Sequence, residues 1–69
     1  MIRKHIAAKN FLSVGYDVPT KKLEIEFKNG VVTEFSNVPK EINDALWISS
    51  DRDKYFEVNI ENIFTRRDL

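Results

Sequence analysis

The hydroxyls of Ser49 and Ser50 beside Asp51, the lone His5, and the phenols of Tyr16 and Tyr55 are the groups whose chemistry must be weighed first. A hydroxyl becomes a nucleophile only when a placed base takes its proton, and that base needs a partner of its own. No base can be nominated for the serines, and Ser49-Ser50-Asp51 reads as the cap of a following helix. His5 has no sequence partner that would make it a general base, so it reads as an exposed histidine of the N-terminal segment. The chain has no cysteine, which excludes a thiolate zinc site and a disulfide framework; one histidine cannot hold a metal without several carboxylates. There is no glycine-rich phosphate loop. The expectation is a noncatalytic protein with no catalytic residue, no metal, no cofactor and no small-molecule substrate.

Binding chemistry is better represented. Tyr16, in the run "GYD", offers a ring for base stacking or packs half-buried at a turn closed by Asp17. Tyr55 precedes Phe56, so one ring can face the core and the other a ligand. Arg3, Lys4 and Lys9 at one end and Arg66 and Arg67 at the other would make a phosphate-binding patch if both ends reach the same side. The plainer reading leaves them as solvated, frayed terminal charges. Glu24, Glu26 and Glu34 would form an acidic face suited to a basic protein partner or to water. Trp47 marks either an interface or packing against the C-terminal segment.

The elements that must position these residues can be read from periodicity. Leu23, Ile25 and Phe27 alternate with Glu24, Glu26 and Lys28, the signature of a half-buried strand. Asn29-Gly30 turns the chain into a second β-rich run, Val31 to Phe35. A two-residue loop would set Ile25 opposite Glu34 and put a carboxylate in the core. A three-residue loop with Gly30 left-handed pairs Leu23 with Phe35, Ile25 with Thr33 and Phe27 with Val31, at the cost of Glu24 facing Glu34. The second register is expected.

"FLSVGYD" upstream reads as another strand, with a turn at Pro19. Pro39 suits the first position of a helix whose Val38, Ile42, Ala45 and Leu46 form an apolar stripe that can lie on the Leu23/Ile25/Phe27 face. Trp47 falls about 100° from Leu46, off that stripe. In the last segment Phe56, Val58 and Ile60 alternate as in a strand, whereas Phe56, Ile60, Ile63 and Phe64 fit a helix capped by Asp51 or Asp53; helix is expected. The fold class is α+β: a three-stranded antiparallel β-meander covered on one face by one helix and followed by a second, C-terminal helix.

With 69 residues there is room for one domain, here with its core over about residues 10 to 64. Apolar runs are far short of the roughly 20 residues that span a bilayer, and no signal-peptide core opens the chain, so a cytoplasmic, unprocessed protein is expected. Net charge is zero but unevenly spread. Residues 1–22 hold five basic residues against Asp17, a net of +4; residues 23–64 hold four basic and nine acidic, a net of −5; residues 65–69 return +1. Basic ends flank an acidic middle.

The order "SVGYD", "LEIEFKNG", "EFSNVPKEINDAL" and then "KYF" with "NI" resembles the KTSC domain, over roughly Asn10 to Phe64. That family resembles the segment appended to some lysyl-tRNA synthetases and also occurs as standalone bacterial and phage-type proteins. The chain departs from it at Thr33, where an aromatic is usual, at Asp53, where glycine is usual, and at Glu57, where asparagine is usual; a serine common near Lys9 is also missing. The resemblance implies a small α+β domain with an RNA-binding accessory role. The expected function is weak, tRNA-type RNA binding by Arg3, Lys4, Lys9, Tyr16, Tyr55, Arg66 and Arg67. The alternative is a protein-interaction or self-association module using Trp47, the Glu24/Glu26/Glu34 face or an exposed edge strand.

Overall fold

The computed structural model describes residues 2–69. Alternating burial along the hairpin decides the architecture. Leu23 and Ile25 of β3 (Lys22–Phe27) and Thr33 and Phe35 of β4 (Val32–Phe35) are buried, and the residues between them are partly exposed. The pairs Leu23 with Phe35, Glu24 with Glu34, and Ile25 with Thr33 are the expected register. The loop is the expected one too: the Phe27 N–H donates to the Val31 carbonyl at 2.8 Å, and Gly30 takes the left-handed φ of 93°. That φ suits a residue without a Cβ.

β2 (Phe11–Asp17) pairs antiparallel with β3, and a bulge between Phe11 and Ser13 keeps Phe11 beside Phe27 on the core side. The β2–β3 turn is closed by a hydrogen bond from the Thr20 hydroxyl to the Asp17 carboxylate.

The sheet is wider than the expected three strands. Its order is β1-β2-β3-β4-β5, with β1 (Lys4–His5) pairing β2 and β5 (Arg66–Asp68) pairing β4, all antiparallel. The chain ends expected to fray are therefore the two edge strands. Runs of two and three residues rich in charge carry no periodic signal, yet short, charged strands are how sheet edges resist pairing with other chains.

Helix α1 (Lys40–Ile48) lies on the core face through its fully buried Leu46, with Ile42 packed against the core and Val38, just before the helix, fully buried too. Pro39 precedes the helix by one residue instead of opening it: its φ of −62° is helical, but its ψ of 147° is extended, and its carbonyl accepts from Ile42 N–H at 3.0 Å. Asp51 caps α2 (Arg52–Phe56), its carboxylate accepting from Lys54 N–H at 3.1 Å, while Ser49 Oγ accepts from Asp51 N–H. The serine–aspartate run is the expected cap.

After α2 the helix widens into one π-helical turn, Glu57–Glu61, and stops at Asn62. The expected helix through Phe64 ends early because the chain must turn back to β5, just before which the Thr65 carbonyl accepts from Ser36 N–H at 2.9 Å. Phe56 and Ile60 of the predicted stripe are buried, whereas Ile63 is 64% exposed. The Phe56 ring sits 5.7 Å from the rings of Phe11, Phe27 and Phe35, tying the second helix to three strands.

Candidate binding cleft and the paired charges

Because Lys4 lies opposite Val14, Arg3 falls beside Gly15 by continuation of that register, and Gly15 faces Glu24, which faces Glu34, which faces Arg67. One row across the outer face thus reads cation, glycine, carboxylate, carboxylate, cation. Arg3 donates to Glu24 at 2.6 Å, while Arg67 and Lys22 approach Glu34 at 3.4 and 3.5 Å. Glu26 accepts from the Ser13 hydroxyl at 2.8 Å. The unfavourable Glu24–Glu34 pair is offset by the flanking arginines. The carboxylates expected to form an open acidic face thus have cationic or hydroxyl partners, and Arg3 and Arg67, expected among the phosphate contacts, each lie within ion-pair distance of a glutamate.

The other basic residues are scattered. Arg66 projects to the core side, its guanidinium 5.8 Å from the Phe35 ring and 3.8 Å from Asp68. Lys9 lies at the hairpin end of the sheet, where its backbone N–H and that of Asn10 both donate to the Asp53 carboxylate, at 2.8 and 2.9 Å. Burial pushes the Asp53 pKa up, but those hydrogen bonds outweigh it and hold the carboxyl below its ordinary value. Asp53 and Thr33, two departures from the family pattern, are both structural ties here: the fully buried Thr33 donates to Asp68 of β5 at 2.7 Å.

Lys4, Tyr16 and Trp47 come together. They line a cleft of about 390 Å³ with Val14, Gly15 and Asn43, and with Ile2 at its lip. β1 supplies the lysine, β2 the tyrosine and α1 the tryptophan. Trp47 lines the cleft at the β1–β2 side, and its carbonyl accepts from Arg52 of the C-terminal segment at 2.7 Å. The Tyr16 hydroxyl donates to the Val38 carbonyl at 2.5 Å, which fixes the half-buried ring at the mouth of the helix. Burial, then the carboxylates of Glu41 and Asp44, push its pKa above the ordinary phenol value, so it remains a neutral donor.

Asn43 was missed from the sequence. It lies one turn before Trp47 on α1, so the i, i+4 spacing was the available signal. Its Nδ2 donates to Asp44 Oδ1 at 3.3 Å, and its Oδ1 is buried without a hydrogen-bond partner among the described residues. Such an orphaned acceptor costs about 1–3 kcal/mol.

Tyr55 is elsewhere, half-buried on α2 beside Val58 and Asn59, and joins neither Tyr16 nor the terminal arginines. A somewhat larger cleft of about 410 Å³ holds Lys9 over Phe27 and Phe56, but Asp51, Asp53, Glu57 and Glu61 share its rim, which is wrong for a phosphate. Among the described residues no group of three or more His, Cys, Asp or Glu could hold a metal ion. Among them, too, no helix is long and apolar enough to cross a membrane.

A five-stranded antiparallel sheet with its helices on one face defines a small α+β domain. The profile of the KTSC domain matches residues 8–64, and the chain belongs to that family. The crystal structure of a KTSC domain protein from Yersinia pestis is similar to it with a TM-score of 0.93 at 25% sequence identity, over 99% of this chain and 96% of that one. No curated protein matches the chain.

Proposed function

We propose that this KTSC domain is a noncatalytic module that binds single-stranded RNA weakly through the Lys4–Tyr16–Trp47 cleft. The observation that carries the reading is the convergence of two half-buried aromatic rings and one exposed lysine from three different elements. A ring gives a base something to stack on, and an ammonium beside it takes the neighbouring phosphate. The synthetase association implied by the family resemblance agrees with this. Arg3 and Arg67 leave the phosphate-binding set because their glutamate partners already occupy them.

With one lysine at the cleft, the dependence of log K on log salt should have a slope of only about −0.7 per phosphate contacted. Trp47 is the only tryptophan, so its fluorescence reports on the cleft directly. Titration with a single-stranded RNA hexamer at two salt concentrations should give saturable quenching, with Kd on the order of 10⁻⁴ to 10⁻⁶ M. No change in Trp47 emission up to millimolar RNA would sink the reading.

A second reading has one observation in its favour. Ile2 is 84% exposed at the lip beside Trp47, which suits a protein partner or a second copy of the chain. A sedimentation mass that rises with concentration, and that Trp47→Ala returns to the monomer value, would favour it over RNA.

A further inference from the structure

We infer that the tip of the β3–β4 hairpin is a modification site: Asn29 converts spontaneously to aspartate and isoaspartate through a cyclic imide, and the folded hairpin holds that reaction back. Asn29-Gly30 is the one Asn-Gly pair of the chain, and a glycine, with no Cβ, leaves its amide nitrogen open to the side chain before it. The Gly30 nitrogen gives up its proton to hydroxide and attacks Asn29 Cγ. A C–N bond forms, the Cγ–Nδ2 bond breaks, and the nitrogen leaves as ammonia. Water then opens the imide at either carbonyl. Attack at Cγ leaves aspartate; attack at the main-chain carbonyl leaves isoaspartate, with the chain running on through Cβ and Cγ. Water is the only co-reactant, and no oxidant or reductant enters.

The fold engages both reacting groups. Gly30 N–H donates to the Phe27 carbonyl at 3.0 Å, so the proton that the nitrogen must lose is already held. Asn29 Oδ1 accepts from Val31 N–H at 3.0 Å, which fixes the side chain in an Asx turn of its own. Closing the ring takes the side chain and the Gly30 peptide out of this arrangement, so both bonds must open first. Lys28, Asn29, Gly30 and Val31 are all exposed, and water and hydroxide reach them freely. Opening of the hairpin, not access, then sets the rate, which follows the population of the open form. The two products differ in what they do to the loop. Aspartate keeps an acceptor for Val31 N–H and the same chain length. Isoaspartate adds one main-chain atom to a loop whose register has no slack, since sliding β4 would turn Glu34 inward. A molecule that stays open long enough to react therefore loses the loop it needs to close, and a transient opening becomes an irreversible loss.

The test incubates the full chain at mildly alkaline pH, folded in buffer and unfolded in guanidinium chloride. A glutamate-specific protease then releases residues 27–34, in which Asn29 is the only asparagine, for chromatography and mass spectrometry. In the unfolded chain this peptide should gain the unit mass of amide-to-acid conversion and split into aspartate and isoaspartate forms. In the folded chain the same conversion should run about tenfold more slowly, as two hydrogen bonds that must open together would impose. Gly30→Ala, compared in the unfolded state so that its folding does not matter, should slow the reaction by crowding the nitrogen. Asn29→Asp should melt close to the parent, whereas the purified isoaspartate form should melt lower. Equal rates in the folded and unfolded chains overturn the gating. No conversion at Asn29 in the unfolded chain overturns the site itself, and an isoaspartate form as stable as the parent overturns its consequence for the hairpin.

Discussion

Ile60 and Ile63 are three residues apart, and an uninterrupted α-helix through Phe64 would put both on the buried stripe with Phe56. The π-helical turn over Glu57–Glu61 and the exit at Asn62 separate them: Ile60 is 0% exposed and Ile63 is 64% exposed. Removing the buried side chain loses its transfer free energy and leaves a cavity under the sheet, so Ile60→Ala should cost about 2–5 kcal/mol. Ile63→Ala has no cavity to leave and should fall within about 0.5 kcal/mol of the parent. At roughly 4–8 °C per kcal/mol for a domain of this size, the first lowers Tm by at least about 8 °C and the second by a few degrees at most. The whole domain is worth only about 3–10 kcal/mol, so Ile60→Ala can leave little folded protein. Ile60→Val, at about 0.5–1.5 kcal/mol, keeps the comparison measurable. Urea unfolding followed by circular dichroism, with thermal melts alongside, is the assay. Equal losses for Ile60 and Ile63 would refute the reasoning, because they require a continuous helix with both residues buried.

The charge row predicts that Arg3→Ala and Arg67→Ala each cost no more than about 1 kcal/mol and leave RNA affinity within about twofold; a loss of RNA binding would return them to the phosphate contacts. Lys4→Ala should weaken RNA of every sequence alike and flatten the salt slope, whereas Trp47→Ala should abolish binding with the fold retained; gel-shift and fluorescence-anisotropy titrations at two salt concentrations separate the two. Asp53→Ala should destabilise the domain by about 1–2 kcal/mol near neutral pH, since two backbone N–H groups lose their charged acceptor. Because the folded carboxyl titrates below its ordinary 3.8, its contribution is complete above that value and is lost as pH falls through the depressed one. The gap between parent and variant in urea melts should therefore close below about pH 4; a gap unchanged at pH 3 would mean that the charge is not what Lys9 and Asn10 bind.

The hairpin was legible because a strict alternation meets a one-residue tolerance: sliding β4 by one position would bury Glu34, and only the looped-out Gly30 avoids that. The capping run at Ser49 to Asp51 was legible for a similar reason, since short polar side chains before an apolar stripe have few other uses. β1 and β5 were not, because two or three charged residues have no periodicity and become strands only when β2 and β4 are there to pair with. The π-helical turn was equally hidden: it follows from Phe56 seating among three other rings while the chain has to return to the sheet edge. Asn43 and Ile2 of the cleft were not on view in the sequence, whereas Lys4, Tyr16 and Trp47 were. Their meeting was not, for Lys4 reaches Tyr16 only through β1, an element the pattern does not announce.

The polarity of the chain acquires a different meaning once the strand order is known. Basic ends around an acidic middle suggest, in sequence, a protein that offers one sign of charge to a nucleic acid and the other to a partner. In the sheet the two ends become the outer strands and the acidic hairpin lies between them, so Arg3 and Arg67 meet Glu24 and Glu34 on its outer face. A zero net charge is then the sum of a face that is largely satisfied locally, and long-range attraction for RNA has little to draw on. Whatever affinity the domain has for a polyanion must come from short-range contacts at a place where rings and a cation meet. The Lys4–Tyr16–Trp47 cleft, away from the paired charges of the outer face, is the place we propose.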